Sequence, residues 1–332
     1  MTSIQLDRLE PVPLRTAWTD EARDFTPWLA QEDNLALLGE AIGLELELER
    51  VEMSVGPYRA DILCKDTLTG NWVLIENQLE RTDHSHLGQL LTYAAGLNAV
   101  TIVWIAARIT DEHRAALDWL NDITGEDINF FGLEIQLWRI GGSHHAPKFN
   151  IVSQPNDWTK AFISHPPSGN ISPTKQLQLD YWTALNADLE EIGFVKRPRK
   201  PQPQHWMDYP VGRTDFCLSA AVNTREKFIT VELRLFGPYA KAYFDLLHAQ
   251  RAEIEAELGE KLHWHKLLDK KESQIGVNNP HFDPADRSTW PQQHVWLREK
   301  LEALHRVFAP RVKALDASDY IPEPIETPDI LP

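Results

Sequence analysis

Apolar positions along the first third of the chain change period twice. Leu35, Leu38, Ile42 and Leu46 recur at three- and four-residue spacing, one apolar stripe that predicts a helix. Residues 7–43 read as mostly helical, with Thr19-Asp20-Glu21-Ala22 supplying a cap and an acidic first turn. Leu44, Leu46, Leu48 and Val51 then lead into a Gly56-Pro57 break, which separates strands. Residues 58–65 alternate, Asp66-Thr67-Leu68-Thr69-Gly70-Asn71 has turn composition, and Trp72-Val73-Leu74-Ile75 resumes as a β run. Two strands across a short turn predict a hairpin.

The pattern continues with a helix from Asp83 or Ser85, carrying Leu87, Leu90, Leu91 and Ala94 on one face and ending near Gly96. Residues 101–106 read as a buried strand. Thr110-Asp111-Glu112 caps a further helix, and Leu133, Ile135 and Leu137 alternate within a strand at 130–140. The order predicts an α/β layer in which an antiparallel hairpin feeds a mixed sheet. Residues 141–175, with Gly141-Gly142, Pro166-Pro167 and Ser172-Pro173, read as linker. Beyond them the pattern predicts a helix at 176–192, a proline-rich stretch at 198–210 and a hairpin of 216–222 with 228–235. A long helix at 238–258, a last helix from 292 to about 315 and a proline-rich tail follow. The expected divisions are a first domain at 1–160, a linker at 161–175, an α+β domain at 176–318 and a disordered tail at 319–332.

A length of 332 residues accommodates two domains. The longest apolar run, residues 99–107, is about half of the ~20 residues a membrane span needs. No basic region followed by an apolar stretch opens the chain, and Cys64 and Cys217 are too few for a disulfide framework, so a cytoplasmic protein with reduced thiols is expected. The net charge of −16 argues against a nucleic-acid coat. It is unevenly held: residues 1–165 carry 12 basic and 25 acidic side chains, the remainder 21 and 24. A polyanion is better met by the second half, and the acidic first half calls for a divalent cation.

Candidate chemistry concentrates on the first hairpin. Asp61 interrupts the apolar strand Ala60-Asp61-Ile62-Leu63, and Glu76 and Gln78 share one face of the next strand. Cross-strand pairing brings Asp61 towards Glu76, and two carboxylates on one face repel unless a cation sits between them. Mg²⁺ (or Mn²⁺), held by Asp61, Glu76 and a carbonyl of Asn77, polarises a phosphoryl oxygen and activates water. Gln89 and Tyr93, four apart on the next helix, reach to the same side.

Asp61, then Glu76-Asn77-Gln78, resembles the PD-(D/E)xK nuclease superfamily of the restriction-endonuclease-like fold. The α-β-β-β-α-β order over residues 33–107 is similar to that core, and Gln89-Leu90-Leu91-Thr92-Tyr93 is similar to the Gln-x-x-x-Tyr helix of Mrr-like and repair nucleases. The whole chain also resembles a bacterial two-domain family of uncharacterised proteins with a C-terminal α+β module. The resemblance implies a Mg²⁺-dependent endonuclease acting on DNA in restriction, repair or phage defence, with Asp61, Glu76, Gln78, Gln89 and Tyr93 in the site. It makes Glu40 a candidate extra ligand. The motif's lysine is Gln78 here, and an amide orients water without supplying charge; Arg59, Lys65 and Arg81 are the nearby replacements. The alternative is an inactive nuclease-fold adaptor that binds DNA or protein. A second copy of the chain and proteins of a defence system are the further partners considered.

Three other features are read. Lys196, Arg197, Arg199 and Lys200, near His205 and Trp206, form a basic run suited to a phosphate backbone. Asp83-His84-Ser85-His86 reads as a polar helix cap and not a zinc pair, because its histidines do not share a helix face with further ligands. His144-His145 reads as loop.

Overall fold

A computed structural model describes residues 7–55, 58–97, 101–124, 128–155, 172–194 and 201–318. The described residues divide into two units, 7–155 and 172–318.

The first unit is a mixed sheet of seven strands: β1 (Leu9–Val12), β2 (Leu46–Val55), β3 (Tyr58–Asp66), β4 (Trp72–Arg81), β5 (Thr101–Arg108), β6 (Asn129–Ile140) and β7 (Ala146–Ser153). Its helices are α1 (Thr26–Leu29), α2 (Glu32–Ile42), α3 (His84–Leu97) and α4 (Asp111–Ile123). Strands β2, β3 and β4 form an antiparallel meander; β5 lies parallel to β4, and β6 parallel to β5. The parallel pairings require crossovers, which α3 and α4 supply. The expected α-β-β-β-α-β order is therefore present from α2 to β5.

Both faces of this sheet are covered. Phe25, Leu29, Leu35 and Leu38 pack on Ile62, Val73, Ile75 and Val103 on one side. Leu90, Leu117 and Leu120 pack on Leu63, Leu74, Ile102 and Trp104 on the other. A strand covered on both faces reads as a near-continuous apolar run, and the buried stretch of β4, residues 73–79, is apolar except at Glu76, Asn77 and Gln78. The hairpin register is fixed by Asp66, whose carboxylate accepts from Thr69 Oγ1 at 2.6 Å and from the Leu68 N–H at 3.2 Å. Gly70, at φ 70°, completes the turn in the left-handed region.

The second unit has α5 (Pro173–Glu191), β8 (Trp206–Tyr209), β9 (Phe216–Asn223), β10 (Phe228–Leu235), α6 (Ala240–Ala249), α7 (Arg251–Leu258), β11 (His263–His265), β12 (Ser273–Asn279) and α8 (Trp290–Ala314). The strands run in the order β11-β12-β10-β9-β8, all neighbours antiparallel. Leu218, Val231 and Leu233 of the sheet share a core with Trp182 and Leu185 of α5 and Leu297, Leu301 and Phe308 of α8. The unit is α+β, as expected.

Several elements depart from the pattern reading. Residues 7–43 begin with a strand: β1 pairs antiparallel with β6, and Pro11, opposite Trp138, is admitted because β1 is a short edge. Part of the 141–175 stretch is β7, which returns along β6 after the Gly141-Gly142 turn. The 238–258 helix is two helices that meet at Gln250. Strands β8, β11 and β12 were absent from the pattern; they are short or carry polar residues that mask alternation. Residues 319–332 lie outside the described residues. Among the described residues no helix is long and apolar enough to cross a membrane.

Candidate functional site

The β3–β4 ladder pairs Ile62 with Ile75, and one further step would set Asp61 opposite Glu76. There the side chains take over from the backbone ladder. The Asn77 backbone N–H and its Nδ2 both donate to Asp61 Oδ2, each at 2.8 Å, and the Asp61 N–H donates to the Glu76 carboxylate. Asn77 Nδ2 also donates to Thr26 Oγ1 at 2.9 Å, which ties the strand opening to the start of α1. The two acidic residues named from the sequence are thus linked through each other's neighbouring amides.

Their electrostatics are unbalanced. Glu76 is only 3% exposed; its carboxyl is held far above the usual carboxylate range, first by burial and next by the charge of Asp61. Asp61 is raised by burial, partly offset by the Asn77 N–H, and raised again by the charge of Glu21. Glu76 Oε2 and Asn77 Oδ1 are buried without a hydrogen-bond partner. An orphaned carboxylate oxygen costs free energy in a native fold, and among acids it calls for a proton or a cation. The donor set is all oxygen and fits a hard divalent ion such as Mg²⁺, which completes its shell with water and substrate oxygens. Among the described residues no three His, Cys, Asp or Glu side chains converge as a metal cluster.

Glu21 is the acidic residue that sequence reasoning missed. It lies on a single π-helical turn (Glu21–Phe25) and accepts from the Leu79 N–H of β4 at 2.6 Å. Its charge acts on both Asp61 and Glu76. Thr19-Asp20-Glu21-Ala22 reads as a cap with an acidic first turn, which hid this; the cap is Asp20, which accepts from the Arg23 N–H at 2.8 Å. Glu40, the sequence candidate for an extra acid, is exposed on α2, and the third acid acting on the pair is Glu21.

Gln78 is also 3% exposed, and its amide is committed. Its oxygen accepts from Trp104 Nε1 at 3.0 Å; its nitrogen donates to the Arg81 carbonyl at 2.9 Å and to Asp83 Oδ2 at 3.4 Å. Both N–H donors therefore face protein acceptors in this arrangement. Asp83 caps α3 as read, accepting from the His86 N–H at 3.0 Å through Oδ1. Its Oδ2 also holds His86 Nδ1 at 2.8 Å. His84 Nδ1 meets His113 Nε2 at 3.1 Å, and His113 Nδ1 meets Thr82 Oγ1 at 2.8 Å, a chain that runs from exposed His84 to a buried contact and ties α3 to α4.

Gln89 is half-buried on α3; the side chain of Tyr93 lies outside what is described. Lys65 pairs with Glu49 at 2.8 Å and sits over the Trp72 ring, at the turn end of the hairpin, so it does not supply the site's missing charge. Arg81 is exposed. The Arg59 side chain and the run Lys196, Arg197, Arg199 and Lys200 lie outside the described residues. His144 and His145 are exposed.

Residues 177–312, nearly all of the second unit, match the family model described as Domain of unknown function (DUF4268). No curated protein matches the chain. Two solved structures do. One is a crystal structure of a repair endonuclease from Pyrococcus abyssi, 19% identical, with a TM-score of 0.24, over 27% of this chain and 42% of that one. The other is the structure of an EndoMS–dsDNA complex, 22% identical, with a TM-score of 0.24, over 32% of this chain and 45% of that one. The chain spans less than half the length of either structure.

Proposed function

We propose that the first unit is a divalent-metal-dependent phosphodiesterase acting on DNA. The observation that carries this reading is the carboxylate pair of half-buried Asp61 and buried Glu76, with an orphaned oxygen on Glu76 and a third acid, Glu21, acting on both. Asp61 and Glu76 would hold Mg²⁺ or Mn²⁺, with a carbonyl of Asn77 as a further oxygen donor. When bound, the ion supplies Lewis-acid polarisation of a phosphoryl oxygen and lowers the pKa of a bound water. The chain's own part is to keep that water in a largely dry, oriented setting. The amides of Asn77 fix the Asp61 carboxylate, Glu21 holds the β4 backbone at Leu79, and Gln78 locks β4 to Trp104 and the start of α3. The α-β-β-β-α-β order and the Asp61/Glu76 motif favour nucleic acid as the phosphodiester. Gln89 and Tyr93 on α3 complete the reading as substrate-side residues.

The commitment of the Gln78 amide favours a second reading, a metal-binding or metal-free adaptor on the same core. Cleavage of linear, circular, branched and mismatched DNA with Mg²⁺ or Mn²⁺, comparing wild type with Asp61→Asn, separates the two. The phosphodiesterase reading expects metal-dependent cleavage by wild type alone; uncut DNA in every case with retained DNA binding supports the adaptor.

A further inference from the structure

Hydrolysis of a phosphodiester by water needs a group that accepts a proton from the attacking water. Within the carboxylate pair both side chains are assigned to the ion, and the amide of Gln78 cannot accept a proton at neutral pH. Gln78 instead hands the strand's polar chain to Asp83, and Asp83 to His86: Gln78 Nε2 to Asp83 Oδ2 at 3.4 Å, Asp83 Oδ2 to His86 Nδ1 at 2.8 Å. The ring of His86 is 27% exposed, open to solvent and substrate, while Asp83 occupies its Nδ1 and fixes the tautomer that leaves Nε2 available. A charge on His86 acts attractively on Asp61 of β3 and on Glu21 of the π turn. The charged groups around it are Asp83 at its own helix start, Asp61 and Glu21.

We propose that His86, held by Asp83 as a positioning residue, is the general base of the phosphodiesterase. This inference rests on the phosphodiesterase reading above. The water oxygen forms the new P–O bond as one of its protons passes to His86 Nε2. The bond from phosphorus to the leaving nucleotide oxygen breaks with its electron pair, and that oxygen takes a proton from solvent. His86 returns its proton to solvent for the next turnover. The role that a lysine at the position of Gln78 would fill is thereby moved to the first turn of α3.

The test compares wild type, Asp61→Asn, His86→Ala, Asp83→Asn and His84→Gln as full-length chains, on DNA with Mn²⁺, from pH 5.5 to 9. His86→Ala should lose about 10²- to 10⁴-fold in kcat, the range for removing a general base. It should also lose the acidic limb of the pH profile and recover part of its rate in added imidazole. Asp83→Asn should lose less and shift that limb, and His84→Gln should cleave as wild type. In the wild-type chain Mn²⁺ should broaden the His86 ring resonances, assigned by their absence from His86→Ala, and Asp61→Asn should abolish the broadening. If wild type cleaves, Asp61→Asn does not, and His86→Ala stays within about threefold of wild type without imidazole response, the general base is not His86 and the phosphodiesterase reading stands. If wild type itself cleaves nothing, that reading fails and the base assignment fails with it.

Discussion

Among the described residues each unit buries one glutamate almost completely, and the two have opposite surroundings. Glu255 of α7, 4% exposed, accepts from Lys261 Nζ at 2.7 Å, Arg251 Nε at 3.0 Å, Trp264 Nε1 at 3.1 Å and the Leu262 N–H at 3.2 Å. Lys261 foremost holds its carboxyl down to about 2. Glu76 of β4 has one amide from Asp61, no partner on Oε2, and two negative neighbours. A carboxylate buried with its own cations is part of the scaffold. One buried among acids, with an oxygen left over, is stable as an ion only when a cation arrives from outside.

The largest expected effect crosses the two. Asp61→Asn should reduce metal-dependent cleavage to background, whereas Glu255→Gln should cleave at the wild-type rate below its unfolding temperature and melt at a lower temperature. A Glu255→Gln chain that melts like wild type would dissolve the contrast.

Sequence made one side of this contrast legible. Asp61 and Glu76 stand out because each breaks an apolar strand, and register follows from period 2 and the Asp66 turn. Glu21 was hidden because an acid after Thr19-Asp20 has a sufficient local role at a helix start, and only tertiary packing brings it to Leu79. His86 was hidden similarly: Asp83-His84-Ser85-His86 is a helix cap, as read, and the cap residue doubles as the partner of the imidazole. In the second unit Glu255 is one acid among Glu253, Glu255 and Glu257, and helix pattern alone does not say which one turns inward. Strands β8 and β12 escaped because Asp208, Gln274 and Asn278 interrupt the apolar alternation that marks β9 and β10.

pH should sharpen the comparison, because the two units respond with opposite sign. His294 of α8 is buried, its Nδ1 3.6 Å from Asp188 and its Nε2 without a partner, and burial lowers its pKa to about 4. The unfolded chain binds that proton near the ordinary histidine value, so this stability is present above pH ~6.5 and is lost as pH falls towards 4. The loss is on the order of 3 kcal/mol, and His294→Gln should flatten it in denaturant titrations at pH 7.5 and 4.5. The carboxylate pair of the first unit is raised, so in metal-free buffer the folded state holds protons that the unfolded state has released. Stability there should fall as pH rises above the usual carboxylate range, and Glu76→Gln should remove that decline. Equal pH profiles for wild type and Glu76→Gln would mean that Glu76 is balanced in the fold after all.

A smaller effect is expected at the strand's lock. Trp104→Phe leaves the buried Gln78 oxygen without its donor and should cost about 1–3 kcal/mol in denaturant unfolding. It should also lower cleavage by loosening α3 relative to β4. The smallest effect is a null: Glu40→Gln, on the exposed side of α2, should bind metal and cleave as wild type. A tenfold loss there would return Glu40 to the site in place of Glu21.

The central claim, that Asp61 and Glu76 form a divalent-ion site, is met most directly by thermal denaturation of the full chain with and without Mg²⁺ or Mn²⁺. An ion that binds the folded state alone raises the melting temperature by mass action. The account predicts a concentration-dependent rise for wild type at neutral pH and none for Glu76→Gln, which needs no external cation. Equal shifts in the two chains would contradict it.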